Sequence, residues 1–200
     1  MNKPKKLNQM AHLLSKGNGY IERSTVLDLG ISARYFYDFV EDQSLVRVGQ
    51  GLYQTQEAWE DELFEISTLN KKVIFSHETA LYLNDLMERE PFEITVTATR
   101  GYNATHLRKR KIRVFQVDKQ LWNLGQTQLS TPLGHLVLSY NRERAMCDLL
   151  KNQAETDRQI FQAAFKNYFS GKDKNIPQLM HYAASLGIEE AMRKYAEVLL

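Results

Sequence analysis

The chain has 200 residues, 26 basic and 24 acidic side chains for a formal net charge of +2, and 43% hydrophobic residues. That is ordinary globular composition, and it excludes a disordered or strongly polybasic protein. No apolar run approaches the roughly 20 residues that span a bilayer, and the basic start MNKPKKLNQM lacks the apolar stretch of a signal peptide. The expectation is a cytoplasmic protein with no membrane partner. Cys147 is the single cysteine, so neither an intrachain disulfide nor a cysteine-based zinc site can form.

Lys5 to Lys16 places Leu7, Met10, Ala11 and Leu14 on one face and reads as a first helix, ended by Gly17-Asn18-Gly19. Tyr20-Ile21 adds a short strand. The run from Arg23 to Thr55 then reads as a helix-turn-helix with a two-stranded wing. Ser24 is expected to cap a short helix over Thr25 to Leu29, and Gly30 supplies the turn, since it tolerates a positive φ. Ser32 is expected to cap a second helix, Ala33 to Asp42, with Phe36, Phe39 and Val40 on its inner face. Leu45 to Val48 and Leu52 to Gln54 flank Gly49-Gln50-Gly51, a hairpin signal. A helix presented in this way fits the major groove with its N-terminal residues at the base edges.

Beyond Gln56 no Pro- or Ser-rich linker follows, and Glu57 to Leu69 reads as a helix. Strands are expected over Val73 to Phe75, Phe92 to Ala98, Ile112 to Val117, Thr127 to Ser130 and Leu136 to Ser139; in the second of these Phe92, Ile94, Val96 and Ala98 alternate with Glu93, Thr95, Thr97 and Thr99, the pattern of a half-buried strand. Ser76 is expected to cap a helix from His77 to Asp85, and Asn141 one that ends at Lys151. Helices close the chain at 157–169, 177–185 and 188–199, with Pro177 at a helix start and Gly187 at a helix end. The predicted fold class is α+β: a winged helix-turn-helix over residues 1–56, then a mixed α+β domain over 57–200 with a helical C-terminal end.

Leu29-Gly30-Ile31-Ser32-x-Arg34-x-Phe36, continuing to Leu45-Val46-Arg47-Val48-Gly49-x-Gly51-x-Tyr53, resembles the N-terminal winged helix of AbiEi-type antitoxins. These are the repressor halves of type IV toxin–antitoxin and abortive-infection modules. Two later blocks, Ser76-His77-Glu78-Thr79-Ala80-Leu81 and Arg142-Glu143-Arg144-Ala145-Met146-Cys147-Asp148-Leu149-Leu150, are similar to stretches of the family's second domain. The resemblance covers about residues 1 to 150, in order. It implies an autorepressor that binds double-stranded DNA at its own promoter, on inverted repeats. It also implies an antitoxin that counters a nucleotidyltransferase toxin without a stable complex. Asp38, Glu41 and Asp42 depart from the family, where this half of the helix is often basic.

The residues themselves suggest where DNA would be met. Ser32, Arg34, Tyr35 and Tyr37 lie off the apolar face near the start of the presumed recognition helix; arginine can bond guanine bidentately, and tyrosine can bond phosphate or pack on thymine. Arg47 and Gln50 sit on the wing, and Lys5 and Lys6 on the first helix. Residues 100–113 hold six basic side chains and no acidic one, including Arg108-Lys109-Arg110-Lys111, a local field suited to a phosphate backbone. A winged helix used for protein contact, and a merely solvated basic loop, are the competing readings.

Catalytic signatures are missing. The five histidines show no metal-ligand spacing. His77-Glu78 lacks the second histidine of H-E-x-x-H and reads as a surface or capping position. Neither a phosphate-binding loop nor an acidic-x-Lys nuclease triplet occurs, so no cofactor, metal or catalytic residue is expected. Arg144 and Asp148, four apart on a helix, are expected to pair structurally. The alternative class is an enzyme or protein-binding module in the second domain, which a cluster of titratable groups around a pocket would favour.

Overall fold

The computed structural model describes residues 3–199; Met1, Asn2 and Leu200, the outer ends of the two expected domains, lie outside the described residues. The protein is α+β, with two sheets. Contacts divide it into two units: residues 3–71 together with Ser130–Val137, and Lys72–Leu129 together with residues 138–199.

The first unit opens with α1 (Lys3–Lys16), followed by β1 (Tyr20–Glu22), α2 (Arg23–Asp28), α3 (Ala33–Asp42), β2 (Val46–Gly49), β3 (Leu52–Gln54) and α4 (Glu62–Leu69). Strand β3 lies between β1 and β2 and is antiparallel to both; the β2–β3 ladder shifts register between Arg47 and Gly49. Helix α2 has only six residues, far too few to be stable alone. What holds it is the core. Val26 packs with Met10, Leu14, Ile21, Ile31, Phe36, Phe39, Leu45 and Tyr53, each such burial contributing about 1.5–3 kcal/mol for the large apolar side chains. Gly30 turns the chain from α2 to α3 at φ +74°, where a Cβ would be strained.

Helix α4 starts at Glu62 rather than at Glu57. Asp61 caps it, its Oδ1 accepting from the Phe64 N–H at 3.0 Å. The helix packs on β2 and β3, and Leu69 comes so close to Gly49 that a Cβ there would lie 2.5 Å from its Cδ1. This packing places the division after residue 71 and not after the expected 56. Ser24 lies inside α2, not before it, and its Oγ donates to Glu22 Oε1 at 2.5 Å instead of capping. Ser32 does stand at the N-cap of α3, but its side chain makes no capping bond.

The second unit runs β4 (Val73–Phe75), α5 (His77–Leu83), β5 (Thr95–Thr99), α6 (Thr105–Lys109), β6 (Arg113–Val117), α7 (Lys119–Trp122), β7 (Gln126–Ser130), β8 (Leu136–Tyr140), α8 (Arg142–Lys151), α9 (Arg158–Ser170), α10 (Ile176–Ser185) and α11 (Glu189–Leu199). The residues of β7 and β8 nearest their connecting turn fall in the first unit. The sheet order is β6-β5-β4-β8-β7; β4 and β5 are antiparallel, while β5–β6 and β4–β8 are parallel.

Strand β5 starts at Thr95, and Phe92, the expected strand start, is exposed. Its threonines are expected on a solvated face, yet Thr95 and Thr97 are buried. Hydroxyls explain this: Thr95 Oγ1 donates to Ser76 O at 2.5 Å, and Thr97 Oγ1 to Ser76 Oγ at 2.8 Å. Ser76 thus stands at the N-cap of α5 without a capping bond because its hydroxyl is spent on β5 and on His77 Nδ1, 3.0 Å away. Asn141 caps α8, accepting from the Arg144 N–H at 3.0 Å. Helix α8 is buried from Glu143 to Leu150 beneath α5, α9 and α10. No helix among the described residues is long and apolar enough to cross a membrane.

Candidate nucleic-acid interface

Helix α3 buries Phe36 and Phe39, and this fixes which side chains it presents. Ser32 and Arg34 are exposed at its N-terminal end, and Tyr37 is 49% exposed one turn on. Tyr35 differs from expectation. It is half-buried against the first unit's core, and the Lys6 ammonium sits 4.2 Å from its ring centre, a cation–π distance. Its ring face is therefore engaged inside the unit. Asp38, Glu41 and Asp42 are exposed along the rest of α3, so positive potential is confined to the start of the helix.

Lys5 is exposed on α1 and Lys6 half-buried. On the hairpin, Gln50 and Arg47 are exposed, but Arg47 Nε donates to Gly49 O at 3.1 Å. That bond braces the irregular step of β2. The turn closes at Gly51, with φ +76°. Ser32, Arg34, Tyr37, Arg47 and Gln50 thus all belong to exposed positions of one unit.

Arg108, Lys109, Arg110 and Lys111 belong to the other unit. Their segment is expected to be a loop, but it contains α6, which buries Leu107 and leaves the four cations exposed; Lys111 turns the chain at φ +60° toward buried Ile112.

Sequence reasoning missed two features. In the sequence Arg23 is only one charge among several. In the structure it opens α2, its backbone N–H donates to Gly51 O at 2.7 Å, and its guanidinium lies 5.8 Å from the Tyr37 ring centre. The second feature is a buried polar network. His135 Nδ1 lies 2.7 Å from Asp61 Oδ2 and its Nε2 3.1 Å from Gly17 O, so both ring nitrogens face acceptors. Thr131 Oγ1 donates to the same Asp61 oxygen at 2.5 Å. The His135 ring stacks on Phe64, with centres 4.3 Å apart. Tyr20 OH donates to Glu65 at 2.9 Å and accepts from the Asp61 N–H at 3.0 Å; burial holds its phenol well above the ordinary range. This network fastens α4, the end of α1 and residues 131–135 into one body beneath the hairpin sheet. No short-range pattern reveals it, because Asp61 and His135 are distant in sequence.

The second unit has a cleft of about 370 Å³ lined by His77, Arg100, Phe115, Gln116, Asp118, Asp148, Lys151 and Asn152, among others. His77 is expected at the surface; it is instead half-buried, stacked on Phe115 with ring centres 3.5 Å apart, at φ +48°. Burial pulls its pKa down to about 4, with Asp148 opposing and Arg144 and Arg113 reinforcing the shift. Arg144 and Asp148 pair as expected, Nε to Oδ1 at 2.9 Å, and Arg144 Nη1 also donates to Leu121 O and Leu124 O. Asp148 Oδ2 and Arg144 Nη2 have no partner among the described residues. The neighbouring nucleophiles are closed off. Ser76 is fully buried, and burial pushes the Cys147 thiol up to about 12. Among the described residues no three His, Cys, Asp or Glu side chains are grouped to hold a metal ion.

No protein-family model matches the chain, and no curated protein matches it. Among solved structures, the crystal structure of the RV2827C protein from Mycobacterium tuberculosis is similar at a TM-score of 0.42 and 10% sequence identity, over 97% of this chain and 81% of that one.

Proposed function

We propose that this protein is a sequence-specific DNA-binding repressor whose first unit is a winged helix-turn-helix. In this reading α2, the Gly30 turn and α3 are the helix-turn-helix, and the β2–β3 hairpin is the wing. The observation that carries it is the orientation of α3: Phe36 and Phe39 face the core, so Ser32, Arg34 and Tyr37 face out at its N-terminal end. A recognition helix presents base-reading residues in that place. The partner is double-stranded DNA upstream of the protein's own gene, on inverted repeats that two copies would occupy. An antitoxin role against a nucleotidyltransferase toxin, without a stable complex, is proposed on the sequence resemblance alone, and cytoplasmic location goes with it.

A second reading has its own support. The His77–Asp148 cleft gathers titratable groups around a buried carboxylate oxygen without a partner, which favours a second unit that binds or modifies a small molecule. The two readings separate in one experiment. Fluorescence anisotropy with the upstream duplex and a shuffled duplex of equal length should give tighter binding to the upstream sequence at near-physiological salt. Equal affinity for both, falling together with salt, would remove the repressor reading and leave the cleft as the better guide.

A further inference from the structure

We propose that Arg23 binds a DNA phosphate beside the recognition helix, making the β1–α2 junction a third DNA-contacting element with α3 and the hairpin. The proposal rests on the DNA-binding reading above. Arg23 stands where those two elements meet. Its backbone N–H is bonded to Gly51 O in the hairpin turn, and its guanidinium is carried over the exposed Tyr37 ring of α3.

The nearest acid in sequence does not neutralise it. Glu22 Oε1 accepts from Ser24 Oγ, and Oε2 pairs with Lys71 Nζ at 3.4 Å. The Arg23 guanidinium makes no hydrogen bond or ion pair to any described residue, and its Nε is sealed from solvent without an acceptor. A guanidinium without a counter-charge gains from an arriving anion, which its terminal nitrogens, and not the sealed Nε, would meet. Phosphate suits the group, because the planar guanidinium fork can meet two phosphate oxygens at once. The Tyr37 ring limits where the fork can go, so less freedom is lost on binding.

Phosphate is favoured over a base because Arg23 is carried on the β1–α2 junction and tied to the hairpin turn at Gly51, not on the presumed recognition helix itself. Arg47, by contrast, already spends its Nε on Gly49 O.

The test uses the full chain with Arg23→Gln, Arg23→Met and, as reference, Arg34→Ala. Each is titrated across a salt series against the upstream duplex and a shuffled duplex of equal length. Removing one phosphate interaction should weaken both duplexes by the same factor and lower the salt slope by about 0.9. Both Arg23 variants should melt at or above the parent, since the side chain makes no hydrogen bond and its buried Nε has no acceptor, and Arg23→Met keeps the packing on Tyr37 if Arg23→Gln loosens it. An unchanged slope in Arg23→Met, alongside loss of upstream binding in Arg34→Ala, overturns the role of Arg23 and leaves the repressor reading standing. Loss confined to the upstream duplex also overturns it, because that is base readout. Failure of the unsubstituted protein to bind either duplex overturns both proposals.

Discussion

The two units present their cations in different ways. In the first, three cations are held one at a time: Lys6 on Tyr35, Arg23 on Tyr37, and Arg47 by the carbonyl of Gly49. In the second, Arg108 to Lys111 follow one another at the exposed end of a five-residue helix. A held cation loses little freedom on meeting its ligand, whether that ligand is a base or a phosphate. Consecutive exposed cations make a field that attracts any phosphate backbone and weakens with salt. Buried charge differs as well. Arg144 and Asp148 pair within a single helix, while Asp61 and His135 join segments far apart in the chain.

The largest expected effect tests the buried side of that contrast. Arg144→Met strands Asp148 in the second unit's interior and should cost about 3–5 kcal/mol in denaturant unfolding, whereas Arg144→Met with Asp148→Leu should recover the part owed to the stranded carboxylate but not the part owed to the Leu121 and Leu124 carbonyls. A single variant that costs nothing would mean the pair does not hold the 121–124 carbonyls to α8. Next comes pH. His77 has its pKa lowered from the ordinary 6.5 to about 4 by burial, so the unfolded chain binds the extra proton first. Its contribution is complete above about pH 6.5 and is lost as pH falls toward 4, by up to about 1.4 kcal/mol per pH step. His77→Asn, which tolerates the positive φ, should flatten that part of the stability profile; an unchanged profile would place the ring in solvent.

The smaller effects set Arg34, the base-reading candidate of the first unit, against the run of cations in the second. Arg34→Ala should weaken binding to the upstream duplex by about 1–3 kcal/mol and leave shuffled DNA almost unaffected. Neutralising Arg108, Lys109, Arg110 and Lys111 should act on both duplexes equally and lower the salt slope by about 0.9 for each phosphate that the run neutralises. If the run instead altered sequence preference, the distinction between discriminating and attracting charges would fail.

Much of the architecture was legible in the sequence because its signals are local. The spacing of Phe36, Phe39 and Val40, the Gly30 turn, the Asn141 cap and the Arg144–Asp148 pair each lie within a few residues, where periodicity and capping chemistry operate. What escaped depends on tertiary contact. Thr95 and Thr97 look like a solvated face until Ser76 supplies partners for their hydroxyls. Tyr35 looks like a base-reading residue until Lys6 arrives from α1. The expected boundary at residue 56 followed the end of the hairpin, but α4 packs on β2 and β3 and extends the first unit to residue 71. The placement of Arg23 was hidden for the same reason: it is set by Gly51 and Tyr37, neither adjacent to it in sequence.

A hydroxyl-radical footprint of the full chain on the DNA upstream of its own gene tests the central claim most directly. A discrete protected site with two-fold symmetry is expected, at a protein concentration and salt where a shuffled fragment stays unprotected, and it should disappear in Arg34→Ala. Uniform protection of both fragments, or none of either, would contradict the claim.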